Sequence, residues 1–180
     1  MNNKFLIVDF DSTFVQVETL DELAAIALVE HPESERVIEK IRTITAQGMD
    51  GKISLAESLA ERLKLLSANK KHIEQLVSSL ADKVSPSFKR NGVFLEQFAD
   101  SIYIVSSGFK EYILPIVSKF GIKEDHVFAN TFTYDEAGNI NGLDASNPLC
   151  QDQGKVRVVN SLNLEGSVWA VGDGITDYEI

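Results

Sequence analysis

Residues 4–13, KFLIVDFDST, run from an apolar stretch straight into two aspartates spaced two apart. Lys4 to Val8 has the β-branched and aromatic content of a strand buried in a parallel sheet, and open α/β sheets place their ligands beyond the carboxyl ends of such strands. Alternation along an extended chain points Asp9 and Asp11 the same way, so one carboxylate can attack a phosphorus while the other manages the leaving group's proton. The pairing suggests phosphoryl chemistry. Taken alone, Asp9-Phe10-Asp11-Ser12-Thr13 also reads as an acidic strand-end turn, because Asp and Ser are common turn formers.

Two other strand ends carry similar signals. Ile102 to Val105 feeds Ser106-Ser107-Gly108, and the buried run SVWAV feeds Gly172-Asp173-Gly174-Ile175-Thr176-Asp177. In a parallel sheet these tips converge on one crevice. Ser106 and the amides around Gly108, ahead of a helix, suit phosphate oxygens; without neighbours they are only a turn. Asp173 and Asp177 complete a hard-oxygen site with Asp9, of the kind Mg²⁺ occupies with few carboxylates, waters and substrate phosphate.

Between the first strand and the rest, residues 19–83 carry helical periodicity almost without interruption. Gly48 and Gly51 mark a break, and Ser54 with Glu57 three residues later suits a capping box. From Pro86 the texture alternates: a helix near 87–98, a strand at Ser101 to Val105, a helix from Lys110 to Lys119 stopped by Gly121, two short extended runs about a DEAGN turn, and a helix starting near Lys155. Such alternation implies a parallel sheet. The expected architecture is therefore α/β, with an all-helical insertion.

Composition narrows the partners. The 180 residues are 44% apolar, enough for one domain with a true core, and the formal net charge of −10 disfavours nucleic acid and anionic membranes. An anionic substrate would need a locally basic pocket. No apolar stretch approaches a spanning helix and no leader pattern opens the chain, so the cytoplasm is the simplest compartment. Cys150 has no partner for an internal disulfide and nothing basic beside it in sequence, which reads as structural or incidental. His31, His72 and His126 lack metal-ligand spacing and receive no role.

In order and spacing, Asp9-Phe10-Asp11-Ser12-Thr13, Ser106-Ser107-Gly108, Lys155 and Gly172-Asp173-Gly174-x-Thr176-Asp177 resemble the four motifs of the haloacid dehalogenase superfamily of phosphatases. The helical insertion after the first motif, with Glu18, Met49-Asp50-Gly51-Lys52 and Arg62, resembles its phosphoserine-hydrolysing branch. The resemblance implies a Rossmann-like three-layer core over 1–14 and 85–180 and a helical cap over 15–84. It implies Asp9 as nucleophile, Asp11 as acid and base, and Lys155 as a further catalytic charge. Mg²⁺ would be bound by Asp9, the carbonyl of Asp11, Asp173 and Asp177. Substrate contacts would come from Glu18, Met49, Arg62, Ser106, Ser107 and Thr176, and the substrate would be a small phosphorylated molecule, O-phosphoserine first. Read from helical spacing alone, Glu18 and Arg62 are an ordinary solvated face, and Met49 and Leu55 ordinary core.

Two positions depart from that pattern: Ser107 stands where many relatives have Gly, and Thr176 where Asn is frequent. Tyr178-Glu179-Ile180 follows directly on the last motif, whereas the family continues through a further helix and strand. This leads to the expectation of an excerpt from a longer polypeptide, with an uncovered edge at residues 167–172 and a possible covalent partner such as phosphoglycerate dehydrogenase beyond Ile180. Other readings of the same residues are a phosphatase of another small phosphate ester, a poorly active phosphatase-like domain, or a receiver-like signalling module; the last would need neither Asp11 nor a helical insertion.

Overall fold

The computed structural model describes residues 3–180. Strands β1 (Asn3–Val8), β2 (Ile102–Phe109), β3 (Val127–Asn130) and β6 (Gly166–Val171) form one parallel sheet in the order β3-β2-β1-β6. Alternation on β1 and β2 shows why both are apolar throughout. Val8, Ile102 and Ile104 enter the large core with helix α7 (Lys110–Val117), while Ile7 and Val105 enter a smaller one with Val158 of helix α8 (Gly154–Ser161) on the opposite face. Helices on both faces make three layers.

After β1 the chain makes a single wide turn over Phe10–Phe14, closed by the Val15 amide donating to the Phe10 carbonyl at 3.0 Å. Four helices follow: α1 (Thr19–Ala27), α2 (Ser34–Met49), α3 (Leu55–Leu65) and α4 (Lys70–Lys83). Their ends are drawn together, since Val15 bridges Val84 antiparallel and the Ser85 amide donates to the Phe14 carbonyl at 2.9 Å. Ser54 caps α3 by accepting from the Glu57 amide at 3.2 Å, without a return bond from Glu57 among the described residues. The reciprocal box lies at α4 instead. Asn69 accepts from the His72 amide at 3.3 Å, and His72 Nδ1 accepts from the Asn69 amide at 3.3 Å, giving His72 a structural role.

Three sequence expectations need correction. The helix near 87–98 is two short helices, α5 (Pro86–Arg90) and α6 (Gly92–Gln97), broken at Asn91, whose amide donates back to Phe88 and Ser87. The segment 127–143 holds three extended runs rather than two: β3 joins the main sheet, and β4 (Phe132–Tyr134) pairs with β5 (Ile140–Leu143) as a separate hairpin. The run SVWAV does not form a buried strand. As β6 it is paired on one side only, all six of its residues are exposed, and Trp169 keeps 64% of its surface in solvent. An apolar run signals burial only when elements cover it, and none of the described elements covers this face.

Gly154 opens α8 against the turn over Pro148–Cys150 so tightly that a Cβ there would lie 2.1 Å from the Pro148 carbonyl oxygen. Gly154→Ala is expected to cost about 1–3 kcal/mol by overpacking, and to lower the thermal midpoint by several degrees in a circular-dichroism melt. An unchanged midpoint would show that the turn yields freely.

Candidate active site

The carboxyl ends of β1, β2 and β6 open into a cavity of about 880 Å³ between the sheet and the helical insertion. Asp9 continues the ladder, its amide donating to the Val171 carbonyl at 2.9 Å, which sets it beside the Gly172-Asp173 tip. Its Oδ1 accepts from the Phe10 amide at 2.7 Å. Lys155, projecting from the first turn of α8, places its Nζ 2.9 Å from Asp9 Oδ2 and 2.6 Å from Asp177 Oδ1. All three groups are buried. Burial works against the charge on Lys155, but Asp9 and Asp177 outweigh it and hold the ammonium above its ordinary value. Burial likewise lifts the Asp9 carboxyl to about 6 against the pull of Lys155.

One oxygen each from Asp9, Asp173 and Asp177 lies within 4.8 Å of the others. Three hard anionic donors so close repel one another, and the donor set matches what Mg²⁺ takes from protein. The cavity wall carries eight carboxylates against three cations, Lys52, Arg62 and Lys155. The expected locally basic pocket is therefore absent. A divalent cation on the acid cluster would offset this field for an anionic substrate.

Asp11 stands apart from that cluster through its side chain. Its Oδ1 accepts from the Thr19 amide at 2.7 Å and from the Thr19 hydroxyl at 2.5 Å, at the start of α1. Burial, with the nearby charge of Glu18, lifts the Asp11 carboxyl to about 7. Of the metal set read from sequence, the side chains of Asp9, Asp173 and Asp177 meet; Asp11 can contribute only through its backbone. Gly108 borders Asp11 so closely that a Cβ there would lie 2.7 Å from Asp11 Oδ2.

Ser106, Ser107 and Thr176 all line the cavity. The Ser106 hydroxyl is buried and accepts from the Gly108 amide at 3.0 Å, fixing the loop, while the Ser107 carbonyl accepts from Asn130 Nδ2 at 2.9 Å. The insertion contributes Glu18, Met49 and Arg62 to the opposite wall. Met49 is 54% exposed at the cavity, which removes the ordinary-core reading. Arg62 is buried and its Nη1 lies 3.3 Å from the Thr45 hydroxyl and 4.0 Å from Asp21 Oδ1, while Thr45 donates to Asp21 at 2.8 Å. Glu18 accepts from the Ser12 hydroxyl at 2.6 Å. Thr19, Asp21, Thr45 and Tyr112 were not legible as site residues. Threonine in an amphipathic helix carries no motif, and only the fold brings Thr45 and Tyr112 to the wall, with Thr19 and Asp21 behind it on Asp11 and Thr45.

Comparison with known proteins agrees with this geometry. A family model described as haloacid dehalogenase-like hydrolase matches residues 6–180. The chain belongs to that family. It is 28% identical to the phosphoserine phosphatase of Homo sapiens over 174 residues, covering 95% of this chain and 74% of that one. Its fold is similar to a phosphoserine phosphohydrolase-like protein from Francisella tularensis, with a TM-score of 0.85 at 29% identity over 98% of this chain and 81% of that one. A phospho-aspartyl intermediate analogue of a phosphoserine phosphatase superposes with a TM-score of 0.79 at 27% identity, over 99% and 81%. A phosphatase of this family, a phosphoric monoester hydrolase, is thus the class of the enzyme.

The raised carboxyls make a linked prediction. A folded-state pKa above the unfolded value means that the metal-free fold binds the proton more tightly, so this contribution is fully present below about pH 4 and lost as pH rises through about 6 and 7. In EDTA, Asp11→Asn should therefore gain on wild type by on the order of 1–3 kcal/mol between pH 5 and pH 8. Mg²⁺ should raise the wild-type melting temperature more at pH 8 than at pH 5. Equal shifts at both pH values would contradict the assignment.

Proposed function

We propose that the enzyme hydrolyses O-phosphoserine to serine and phosphate through an aspartyl-phosphate on Asp9. The observation that carries the substrate is that Glu18 and Arg62, of opposite charge, face the same cavity as the Asp9 and Asp11 pair. A phosphorylated amino acid presents an ammonium and a carboxylate beyond its phosphate. Arg62 suits the carboxylate through parallel hydrogen bonds and Glu18 the ammonium, while Met49 supplies an apolar wall. Helices α1 to α4, inserted between Val15 and Val84, serve as the cap that closes the cavity and excludes water.

Bound by Asp9, Asp173, Asp177 and the Asp11 carbonyl, Mg²⁺ supplies the positive charge that lets a carboxylate approach a phosphate dianion. Lys155 keeps Asp9 ionised and adjacent to that charge. An Asp9 oxygen attacks phosphorus in line as the bond from phosphorus to the serine oxygen breaks, and Asp11 gives its proton to that oxygen. Asp11, now a carboxylate, takes a proton from water, whose oxygen attacks the phosphorus and frees both phosphate and Asp9. Ser106 and the Ser107 amide hold the equatorial oxygens through both steps, with Thr176 alongside. A carboxyl lifted to about 7 suits a group that must donate in one step and accept in the next.

The test is phosphate release from O-phosphoserine, phosphoglycolate and an aryl phosphate, with Mg²⁺ and with EDTA. Release should need Mg²⁺, favour O-phosphoserine, and fall by about a thousandfold or more in Asp9→Asn. Arg62→Ala should raise KM for O-phosphoserine by roughly a hundredfold through loss of charge-assisted hydrogen bonds, with kcat changed far less. A preference for phosphoglycolate, or an Arg62→Ala effect equal on the aryl ester, would retain the chemistry and reject the amino-acid substrate. Among the described residues no helix is long and apolar enough to cross a membrane.

A further inference from the structure

Tyr112 lies in the first turn of α7 with its side chain fully buried, its ring 6.3 Å from Phe10, 6.1 Å from Phe109 and 6.3 Å from Phe132. Its hydroxyl makes no hydrogen bond of ordinary geometry among the described residues, although the Thr19 hydroxyl and the Phe109 backbone lie near it and Tyr112 lines the cavity. A buried hydroxyl left unmade costs folding free energy, and a phenylalanine would fill the same aromatic cage without that cost. The position of the hydroxyl suggests its use. The point where a Gly108 Cβ would begin is 3.1 Å from the Tyr112 oxygen and 2.7 Å from Asp11 Oδ2, so the two oxygens flank the same small gap. Asp11 Oδ1 is already committed to the Thr19 amide and hydroxyl, and Oδ2 has no bond among those described.

We propose that Tyr112 is a positioning residue for Asp11: its hydroxyl donates to Oδ2 across the gap that Gly108 leaves open. With Thr19 on one oxygen and Tyr112 on the other, the carboxyl plane is fixed, and the remaining position on Oδ2, which carries the proton in the first step and accepts one in the second, faces the oxygen leaving phosphorus. Gly108 is then required on two counts. A side chain there would push Asp11 aside and would also occupy the path of the hydrogen bond. The inference rests on the proposed role of Asp11, since a fixed carboxylate matters most where a poor leaving group needs a proton.

The experiment compares Tyr112→Phe with wild type on O-phosphoserine, or whichever alkyl phosphate wild type prefers, and on 4-nitrophenyl phosphate, whose leaving group needs no proton. The expected result is a fall of about tenfold in kcat/KM for the alkyl ester, a fraction of the total that general acid catalysis supplies, with the aryl ester changed less than about twofold and the melting temperature unchanged or raised. An unchanged ratio between the two esters would overturn the proposal, as would a variant that melts lower or fails to fold, because the hydroxyl would then be structural. A crystal structure of wild type with Mg²⁺ and inorganic phosphate gives a second reading independent of turnover. The Tyr112 oxygen should lie within hydrogen-bond distance of Asp11 Oδ2, and a hydroxyl bonded elsewhere would overturn the proposal. If wild type releases phosphate from neither ester, the functional reading fails by itself, and the crystallographic distance still decides Tyr112.

Discussion

Everything in the site is arranged around one buried cation. Lys155 Nζ sits between Asp9 and Asp177, 2.9 Å from one and 2.6 Å from the other, and from the first turn of α8 it joins the end of β1 to the short helix Ile175–Tyr178 beyond β6. Replacing such a cluster by apolar groups is often neutral for stability, because desolvating three charges offsets their attraction. Its retention is better understood as geometry. The ammonium holds two carboxylates at fixed positions, one just past the end of β1 and one in the short helix Ile175–Tyr178 that follows β6, and their separation from Asp173 then defines a place for a divalent ion. The close turn at Gly154 matters for the same reason, since it sets where Lys155 begins.

Besides the Thr19–Asp11 bonds, hydrogen bonds tie the insertion to the rest of the fold at its base, along the hairpin and at the cavity mouth. Val15 bridges Val84 at its base. The hairpin reaches its far side, where the Ile140 amide donates to the Ala68 carbonyl at 2.9 Å, the Lys70 amide donates to the Gly138 carbonyl at 3.3 Å, and the Lys70 ammonium rests 4.8 Å from the Tyr134 ring centre. At the cavity mouth Asp152 accepts from the Leu55 amide at 2.9 Å, at the exposed start of α3. These attachments differ in strength. The base is a pair of chains joined by successive backbone hydrogen bonds around the buried Val15 and Val84, whereas the bond at the mouth, from the Leu55 amide to Asp152, is open to solvent.

How much of this the amino-acid sequence reveals depends on whether a residue acts through its neighbours in the chain or through the fold. Asp9, Asp11, Ser106, Asp173 and Asp177 are legible because each follows an apolar run, and strand ends in a parallel sheet are compelled to meet. Lys155 is legible only by resemblance, as a lone lysine at a helix start has no pattern. The exposure of β6 defeats reading by hydropathy, since SVWAV is apolar whether or not anything covers it. The break at Asn91 is equally silent, because Phe88, Leu95 and Phe98 keep a helical spacing across it. Thr45 and Tyr112 at the cavity wall, and Thr19 behind Asp11, matter through hydrogen-bond capacity, which depends on rotamers and partners that sequence does not encode locally.

The two sides of the cavity solve opposite electrostatic problems with the same device. On the sheet side, excess negative charge is organised by a buried cation. On the insertion side, the buried Arg62 guanidinium would be costly in isolation, and it is held by neutral and acidic groups that stop short of neutralising it: the Thr45 hydroxyl at 3.3 Å and Asp21 at 4.0 Å, with Thr45 itself spent on Asp21 at 2.8 Å. Asp21 is therefore partly occupied by a hydroxyl, and its carboxyl is raised, chiefly by burial. A tight bidentate pair would have consumed the guanidinium's fork. The long contact leaves donors of Arg62 for an anion while fixing the side chain's direction, so part of the ordering cost of binding is met before any ligand arrives. The same logic applies to Glu18, held through the Ser12 hydroxyl at 2.6 Å rather than through a cation. Under the proposed function both charges stay available, since their supports are weaker partners than the ammonium and carboxylate of the proposed substrate.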